Sequence, residues 1–408
     1  YPFPIQNLTS GTISPFIGAM GHVTTESFPE KPVIAILASI PLGRLLDEFS
    51  EKDHRIFPWI FALFHALARQ QNYGYDIHWI TLSKLVSKPE CRHINGQTLH
   101  IIPQGSIALD LLTMHLRPSF QIRKLLNSIR PSLVHVWGVE ESYAMACKNF
   151  KGKKLLSYQG ALTAYCERAP QVFLFRMQAF LERLAVKHYG QITCESPWAV
   201  DRVREIAPDS DVSLMEYGVE ESFFHLDRTP SDTPSCFFGG TIYELKGISY
   251  LVEAFRHPDL AHVQLYIAGK GSLTAALKAE STPNIHWLGA VSRETLQQHL
   301  SSAWCLVHPT LGDNSPNIVK EARVMGLPVI TTEEGGQTQY VKDGESGYII
   351  PIRDSAAIRE AVLKLTHDRE TALNMGCQGR QECRALLNVN RTVEGCLTRY
   401  RTMLNSDF

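Results

Sequence analysis

His308–Gly336, HPTLGDNSPNIVKEARVMGLPVITTEEGG, reads as a strand, a polar loop, a helix, a second strand and a Gly-Gly loop. Cys305–His308 is a short apolar run closed by a turn signal, as expected of a strand buried in a parallel sheet. Gly312–Asn317 feeds the helix Asn317–Met325, with Ser315 placed to cap it and Pro316 at the favoured first position. Amides at a helix start lack intrahelical partners and carry the positive end of the dipole, so they suit an anion, and a diphosphate fits. Asp313 and Glu321 frame the same spot. Carboxylates gain nothing from a phosphate but accept hydrogen bonds from the hydroxyls of a sugar.

The same alternation of strands and helices extends in both directions. Downstream come the strand Pro328–Thr331, the helix Ala356–Leu365 and a charged, helical tail over 370–404. Upstream lie strands at Cys236–Gly239, Val263–Ala268 and Ile285–Leu288, with a helix at Ile248–Phe255. Before them HLDRTPSDTPS (225–235) is rich in Pro, Asp, Ser and Thr and reads as a linker. An earlier set of strands begins with VIAILASI (33–40) and continues through Tyr75–Leu82, Leu99–Ile102, Leu133–Trp137, Lys154–Tyr158, Gln191–Glu195 and Val212–Tyr217. Helices fit Pro58–Arg69, Ser119–Ile129 and Phe173–His188. The fold class is therefore α/β, with two Rossmann-like, doubly wound domains facing a central cleft. The expected divisions are a flexible lead-in (1–30), an N-terminal domain (31–224), the linker, a C-terminal domain (236–385) and a helix (386–408) that crosses back to the N-terminal domain.

Composition narrows the function. The chain has 408 residues, enough for two cores, and a formal net charge of −1, which gives no global field for nucleic acid. Its 9 cysteines form no C-x-x-C pair and no zinc-ligand spacing, and read as free thiols in a reducing compartment. No run approaches the ~20 apolar residues of a membrane span. No G-x-G-x-x-G follows the first strand of either domain, which argues against a nicotinamide-dependent dehydrogenase.

The segment from Asp313 to Gly336 resembles the nucleotide-sugar motif of retaining family-four glycosyltransferases with the GT-B fold. There two acids are separated by seven other residues and followed by Ala, Gly and Pro-Val. Here Asp313, Glu321, Ala322, Gly326, Pro328 and Val329 fall on that pattern, and Gly335-Gly336 on the family's glycine loop. The run DNSPN resembles a bacterial polysaccharide-type branch. The resemblance implies that Glu321 accepts the ribose hydroxyls, that Asp313 contacts the donor sugar, and that Asn314, Ser315, Asn317, Ile318, Gly335 and Gly336 line the donor site. In Gly240–Gly247, GTIYELKG, Lys246 matches the family's cation on the leaving diphosphate, while Thr241 stands where an Arg is usual. Gly240, Thr241 and Gly269 join the donor set, and Lys270 or Arg44 is the expected substitute for the missing Arg. Gln159, in SYQGAL, occupies the place of a family His near the reacting carbon.

The N-terminal domain is expected to bind the acceptor, which is a carbohydrate, a lipid-linked molecule or a small molecule. His135, Trp137 and Glu140 of VHVWGVEE are the candidates; His135 also fits a core histidine, and Glu140 a helix cap. The implied reaction moves a sugar from a nucleoside diphosphate sugar to an acceptor hydroxyl with retention, in polysaccharide or glycoconjugate synthesis. It needs no protein base if the departing phosphate takes the proton. No cofactor and no metal are expected. A sugar-nucleotide epimerase of the same shape and a silent nucleotide-sugar-binding subunit are the alternatives. Arg117, Arg123, Lys124 and Arg130 border apolar positions; such a face fits either an ordinary solvated helix, the commoner case, or peripheral contact with anionic lipid, so the expected location is the cytoplasm, with the inner face of the membrane as the alternative.

Overall fold

The computed structural model describes residues 31–50, 57–70 and 73–406. The lead-in expected over 1–30 lies outside the described residues.

The first sheet has eight strands: β1 (Val33–Leu37), β2 (Asp76–Ser83), β3 (Glu90–Ile94), β4 (Gln97–Pro103), β5 (Leu133–Trp137), β6 (Lys153–Tyr158), β7 (Gln191–Cys194) and β8 (Asp211–Leu214). Their order is β3-β4-β2-β1-β5-β6-β7-β8, and only the β3–β4 pair is antiparallel. The sequence reading missed β3. Its signal is Asn95-Gly96, both at positive φ (51° and 76°), the two-residue hairpin turn that joins β3 to β4.

The second sheet has six strands: β9 (Ser235–Gly239), β10 (Gln264–Ala268), β11 (Ile285–Gly289), β12 (Cys305–His308), β13 (Val329–Thr332) and β14 (Gly347–Ile350). All its pairings are parallel, in the order β11-β10-β9-β12-β13-β14. Numbered within its domain this is 3-2-1-4-5-6, the doubly wound arrangement, and its direction of winding reverses between β9 and β12. The first sheet reverses in the same way between β1 and β5.

Both sheets are covered on both faces, which explains why their central strands are uninterrupted apolar runs. In β1, Ile34 and Ile36 enter one core cluster while Ala35 and Leu37 enter the opposite one. The segment 225–235 is held down: the Thr229 and Ser231 amides donate to the Ser301 and Ser302 carbonyls at 3.1 and 2.9 Å.

The last helix, Val389–Asn405, packs on the helix Pro58–Arg69 and adds Val393, Cys396 and Tyr400 to a core cluster of the first sheet. Tyr400 Oη lies 2.7 Å from His135 Nδ1, and His135 Nε2 lies 2.7 Å from Ser157 Oγ. His135 is wholly buried, and burial, with Arg399 adding to it, lowers its pKa to about 3. It is therefore a neutral, satisfied core histidine that reaches no acceptor; the bland reading of VHVW is the correct one.

Tyr400→Ala should cost about 3–5 kcal/mol by leaving a large cavity, against about 1 kcal/mol for Tyr400→Phe, which removes only the hydroxyl. Urea unfolding measures both. Near-zero costs for the two would mean that the last helix is not anchored on the first sheet.

Candidate functional site

At the winding reversal of the second sheet, the loops after β9 and β12 part and leave a cleft of about 720 Å³. The end of β9, Gly239-Gly240, forms its floor, and Thr241 and Gly269 lie beside it. Gly269 has φ 139°, and a Cβ there would stand 1.8 Å from the Gly240 carbonyl oxygen. Only glycine lets the two loops meet so closely. Gly247, at φ 64°, is in the same position against Pro309, where a Cβ would fall 1.8 Å from the carbonyl oxygen. This fastens the short turn Glu244–Lys246 to the end of β12 and presents Lys246 to the cleft.

Lys246 Nζ donates to Asp313 Oδ2. His308, at the end of β12, approaches the same oxygen at 3.5 Å. Burial works to raise the Asp313 carboxyl, but the ammonium and the imidazole outweigh it and hold Asp313 well below the usual carboxylate range. The Lys246 ammonium is in turn held up against burial by Asp313.

The helix Asn317–Met325 begins in the cleft wall, and Ser315, Pro316, Asn317 and Ile318 line it. Pro316 is the N-cap and no side chain caps the first turn, so its amides remain available to an anion. Ser315 therefore does not cap the helix, contrary to the sequence reading. Its hydroxyl instead lies 2.7 Å from Tyr340 Oη.

One turn further on, Glu321 accepts from Arg293 Nη2 at 2.8 Å. The same Nη2 reaches Glu220 at 3.1 Å, and Glu220 is gripped by both terminal nitrogens of Arg44 at 2.8 Å. Charges thus alternate from Arg44 through Glu220 and Arg293 to Glu321. Arg44 stacks on Phe61 with its guanidinium carbon 3.7 Å from the ring centroid, and it does not line the cleft. It is not the replacement for the missing Arg at Thr241. Arg293, which does line the cleft, stands nearer that role, with exposed Lys270 at the rim. Sequence reasoning passed over Arg293 because one cation in a polar helix start carries no signal without its tertiary partners.

The first sheet supplies the facing wall. Gln159, just past β6, and Glu140, just past β5, both line the cleft, and Gln159 Nε2 is buried without a protein partner. Glu140 accepts from the Val139 amide at 2.8 Å and caps no helix. Its carboxylate is packed so closely that a Cβ on Gly160 would fall 2.3 Å from Oε1. Burial raises its pKa despite the amides. Trp137 is buried, with Nε1 donating to His135 Nδ1 at 3.2 Å, and it borders a smaller cavity of about 310 Å³ behind Glu140 and Gln159. Among the described residues no group of three or more His, Cys, Asp or Glu stands together as metal ligands would.

Comparison with known proteins is consistent with this geometry. Residues 233–368, which contain Gly240, Lys246, Asp313, Glu321 and both glycines of the Gly-Gly loop, match the family model described as Glycosyl transferases group 1. D-rhamnosyltransferase WbpZ of Pseudomonas aeruginosa is 27% identical over 244 residues, which is 53% of this chain and 63% of that protein. The lipopolysaccharide core biosynthesis glycosyltransferase LpsE of Rhizobium meliloti is 20% identical over 292 residues, 68% of this chain and 76% of that protein. Sucrose-phosphate synthase from Thermosynechococcus elongatus superposes with a TM-score of 0.76 at 18% identity, covering 92% of this chain and 100% of that one. Residues 233–368 thus form a domain of the group 1 glycosyltransferase kind, and the two sheets together have the GT-B fold. The first of these relatives is matched over a little under two thirds of its length.

In this GT-B chain several motif residues serve the junction between the two sheets. Asn314 receives the Ser196 hydroxyl on Oδ1 at 2.6 Å, donates from Nδ2 to the Gln159 carbonyl, and donates from its backbone N–H to Tyr165 Oη at 3.0 Å. Its side chain is engaged there, while the residue also lines the cleft. Gly335 and Gly336 back the same loop: the Gly336 amide donates to the Asp313 carbonyl at 2.8 Å, and a Cβ on Gly336 would stand 1.8 Å from the Asn314 carbonyl oxygen. They lie behind the cleft wall and do not border the cleft. Lys320, buried, pairs with Glu195 at the end of β7 at 2.9 Å. Tyr340 Oη donates to Glu216 at 2.9 Å.

Two outcomes follow. Arg293→Ala strands the buried Glu321, while Glu220 keeps Arg44, and should destabilise by about 3–5 kcal/mol, with Arg293→Lys costing less; calorimetry checks both, and a loss within experimental error would rule out the network as drawn. Burial raises the Glu195 and Glu216 carboxyls, each to about 7. A raised folded pKa gives stability that is present below the unfolded value near 4.5 and is lost as pH climbs through about 7. Stability should therefore decline from pH 5 to 8, and Glu216→Gln should flatten the decline.

Proposed function

We propose that this chain transfers a glycosyl group from a nucleoside diphosphate sugar to an acceptor hydroxyl, with retention, in polysaccharide or glycoconjugate synthesis. The observation that carries the reading is the shared cleft: Lys246, the uncapped helix start at Asn317 and Glu321 border one space, with Gln159 and Glu140 opposite.

The diphosphate belongs against the amides of Asn317 and Ile318, beside Lys246 and Arg293. Positive charge placed there before the reaction stabilises the charge that develops as the sugar–phosphate bond breaks. Glu321, held in place by Arg293, takes the ribose hydroxyls. Asp313, kept ionised by Lys246 and His308, accepts from a hydroxyl of the donor sugar. Gln159 offers its unpartnered amide donor to the same sugar, since a buried N–H gains from any acceptor the ligand supplies. The acceptor oxygen then bonds to the anomeric carbon on the face the phosphate leaves, and the departing phosphate oxygen takes the acceptor's proton. No protein base is required. The reading assigns the leaving-group charge to Lys246, Arg293 and the helix start, and it gives no step to a metal ion.

A panel of nucleoside diphosphates and their sugars, screened by thermal shift, identifies the donor through the stabilisation that binding confers. Glu321→Ala should abolish that shift. Lys246→Ala should lower kcat by roughly 100–1,000-fold, the usual cost of removing one charge-stabilising group. Excess chelator should leave turnover unchanged. Full nucleotide affinity in Glu321→Ala would overturn the assignment of the site.

A further inference from the structure

Exposed large apolar side chains concentrate in one region. Apart from Leu214, every such residue among the described residues falls in 107–120 or 172–180. The helix Ile107–Leu112 packs on both the helix Leu116–Ile129 and the helix Phe173–Val186, so these residues lie on neighbouring elements. Leu116 and Phe120 are each 66% exposed and Phe173 is 64% exposed. A soluble surface seldom leaves so many large apolar groups together without a partner.

The polar residues among them have one sign. Along the helix Leu116–Ile129, Leu116, Phe120, Arg123 and Lys124 recur at helical spacing, and Arg117 adjoins them. Along the helix Phe173–Val186, the exposed positions run Phe173, Arg176, Phe180 and Arg183, with Lys187 one step beyond. The only acids in 107–130 and 172–188 are Asp110 and Glu182, and both are buried. In a chain whose net charge is −1, this face is cationic and apolar at once. Aromatic and aliphatic groups alternating with Arg and Lys suit the headgroup region of a bilayer, where rings enter the acyl boundary and cations meet anionic lipid.

The face also adjoins the site. The smaller cavity behind Glu140 and Gln159 runs out to Ile107 and Asp110 on one helix and to Gln178 on the other. We infer that the N-terminal domain docks on an anionic bilayer through these helices, which places the mouth of that cavity at headgroup level and selects acceptors carried by a membrane lipid. The inference rests on the glycosyl-transfer reading for the acceptor, but the docking itself does not. Asp110 and Glu140, which line that cavity, can then accept from the headgroup's hydroxyls.

The experiment is co-sedimentation of the full chain with vesicles of phosphatidylglycerol and phosphatidylcholine, and with phosphatidylcholine alone. Binding is expected to the anionic vesicles and to weaken with salt. Phe120→Ser with Phe180→Ser, and separately Arg123→Glu with Lys124→Glu, should each lower it by roughly tenfold or more, while melting temperature and nucleotide affinity stay unchanged. Ile107→Cys, labelled with a polarity-sensitive dye after Cys91→Ser and Cys377→Ser, should shift its emission to the blue on the anionic vesicles. No vesicle binding, unchanged dye emission on bound protein, or variants that only dissociate a dimer of this chain would overturn the inference. Vesicle binding without any nucleotide binding would instead sink the proposed reaction and leave the docking intact.

Discussion

Lys320 and Glu321 are adjacent on one helix, and each is buried against a charge from elsewhere in the chain: Lys320 on Glu195 of the first sheet, Glu321 on Arg293 of the second. A buried charge is tolerated only with a partner. The helix Asn317–Met325 can therefore satisfy both residues only in one orientation, with its start at the cleft and its flank against β7. The loop before it is held as firmly, by Asn314 against Ser196 and Gln159 and by the paired glycines behind. The positions of Asp313 and of the first-turn amides depend on these contacts.

This arrangement balances the charge of the cleft before any ligand arrives. Lys246 is matched by Asp313, and Arg293 by Glu321 and Glu220. Pairing holds Asp313 ionised and Lys246 and Arg293 protonated against burial, without leaving an isolated ion in a low-dielectric space. Arg44 sits outside the cleft yet is tied to it through Glu220. It can position Glu321 only by way of Arg293.

The facing wall differs in kind. Glu140 and Gln159 are held by backbone amides and close glycine contacts instead of by opposite charges, and Gln159 keeps a donor unused. Behind them a second cavity leads toward the apolar, cationic helices of the N-terminal domain. The charged wall suits the nucleotide and the amide-rich wall suits neutral hydroxyls, and the two meet where the reacting carbon is proposed to sit.

The sequence alone determined the doubly wound class, most of the strands and the run from Asp313 to Gly336, because these are local: buried parallel strands are continuous apolar runs, and helix starts and glycine turns have near-neighbour signatures. The hairpin at Asn95-Gly96 was equally local but went unread. What it could not decide was which polar residue faces which space. Gly335 and Gly336 occupy motif positions, yet they back the cleft wall without bordering it; His135 sits in a strand whose interior side is set only by the arrival of Tyr400 from the far end of the chain; Arg293 has no local signature. Those assignments depend on contacts between residues far apart in the chain, and only the tertiary packing brings such partners within hydrogen-bonding distance.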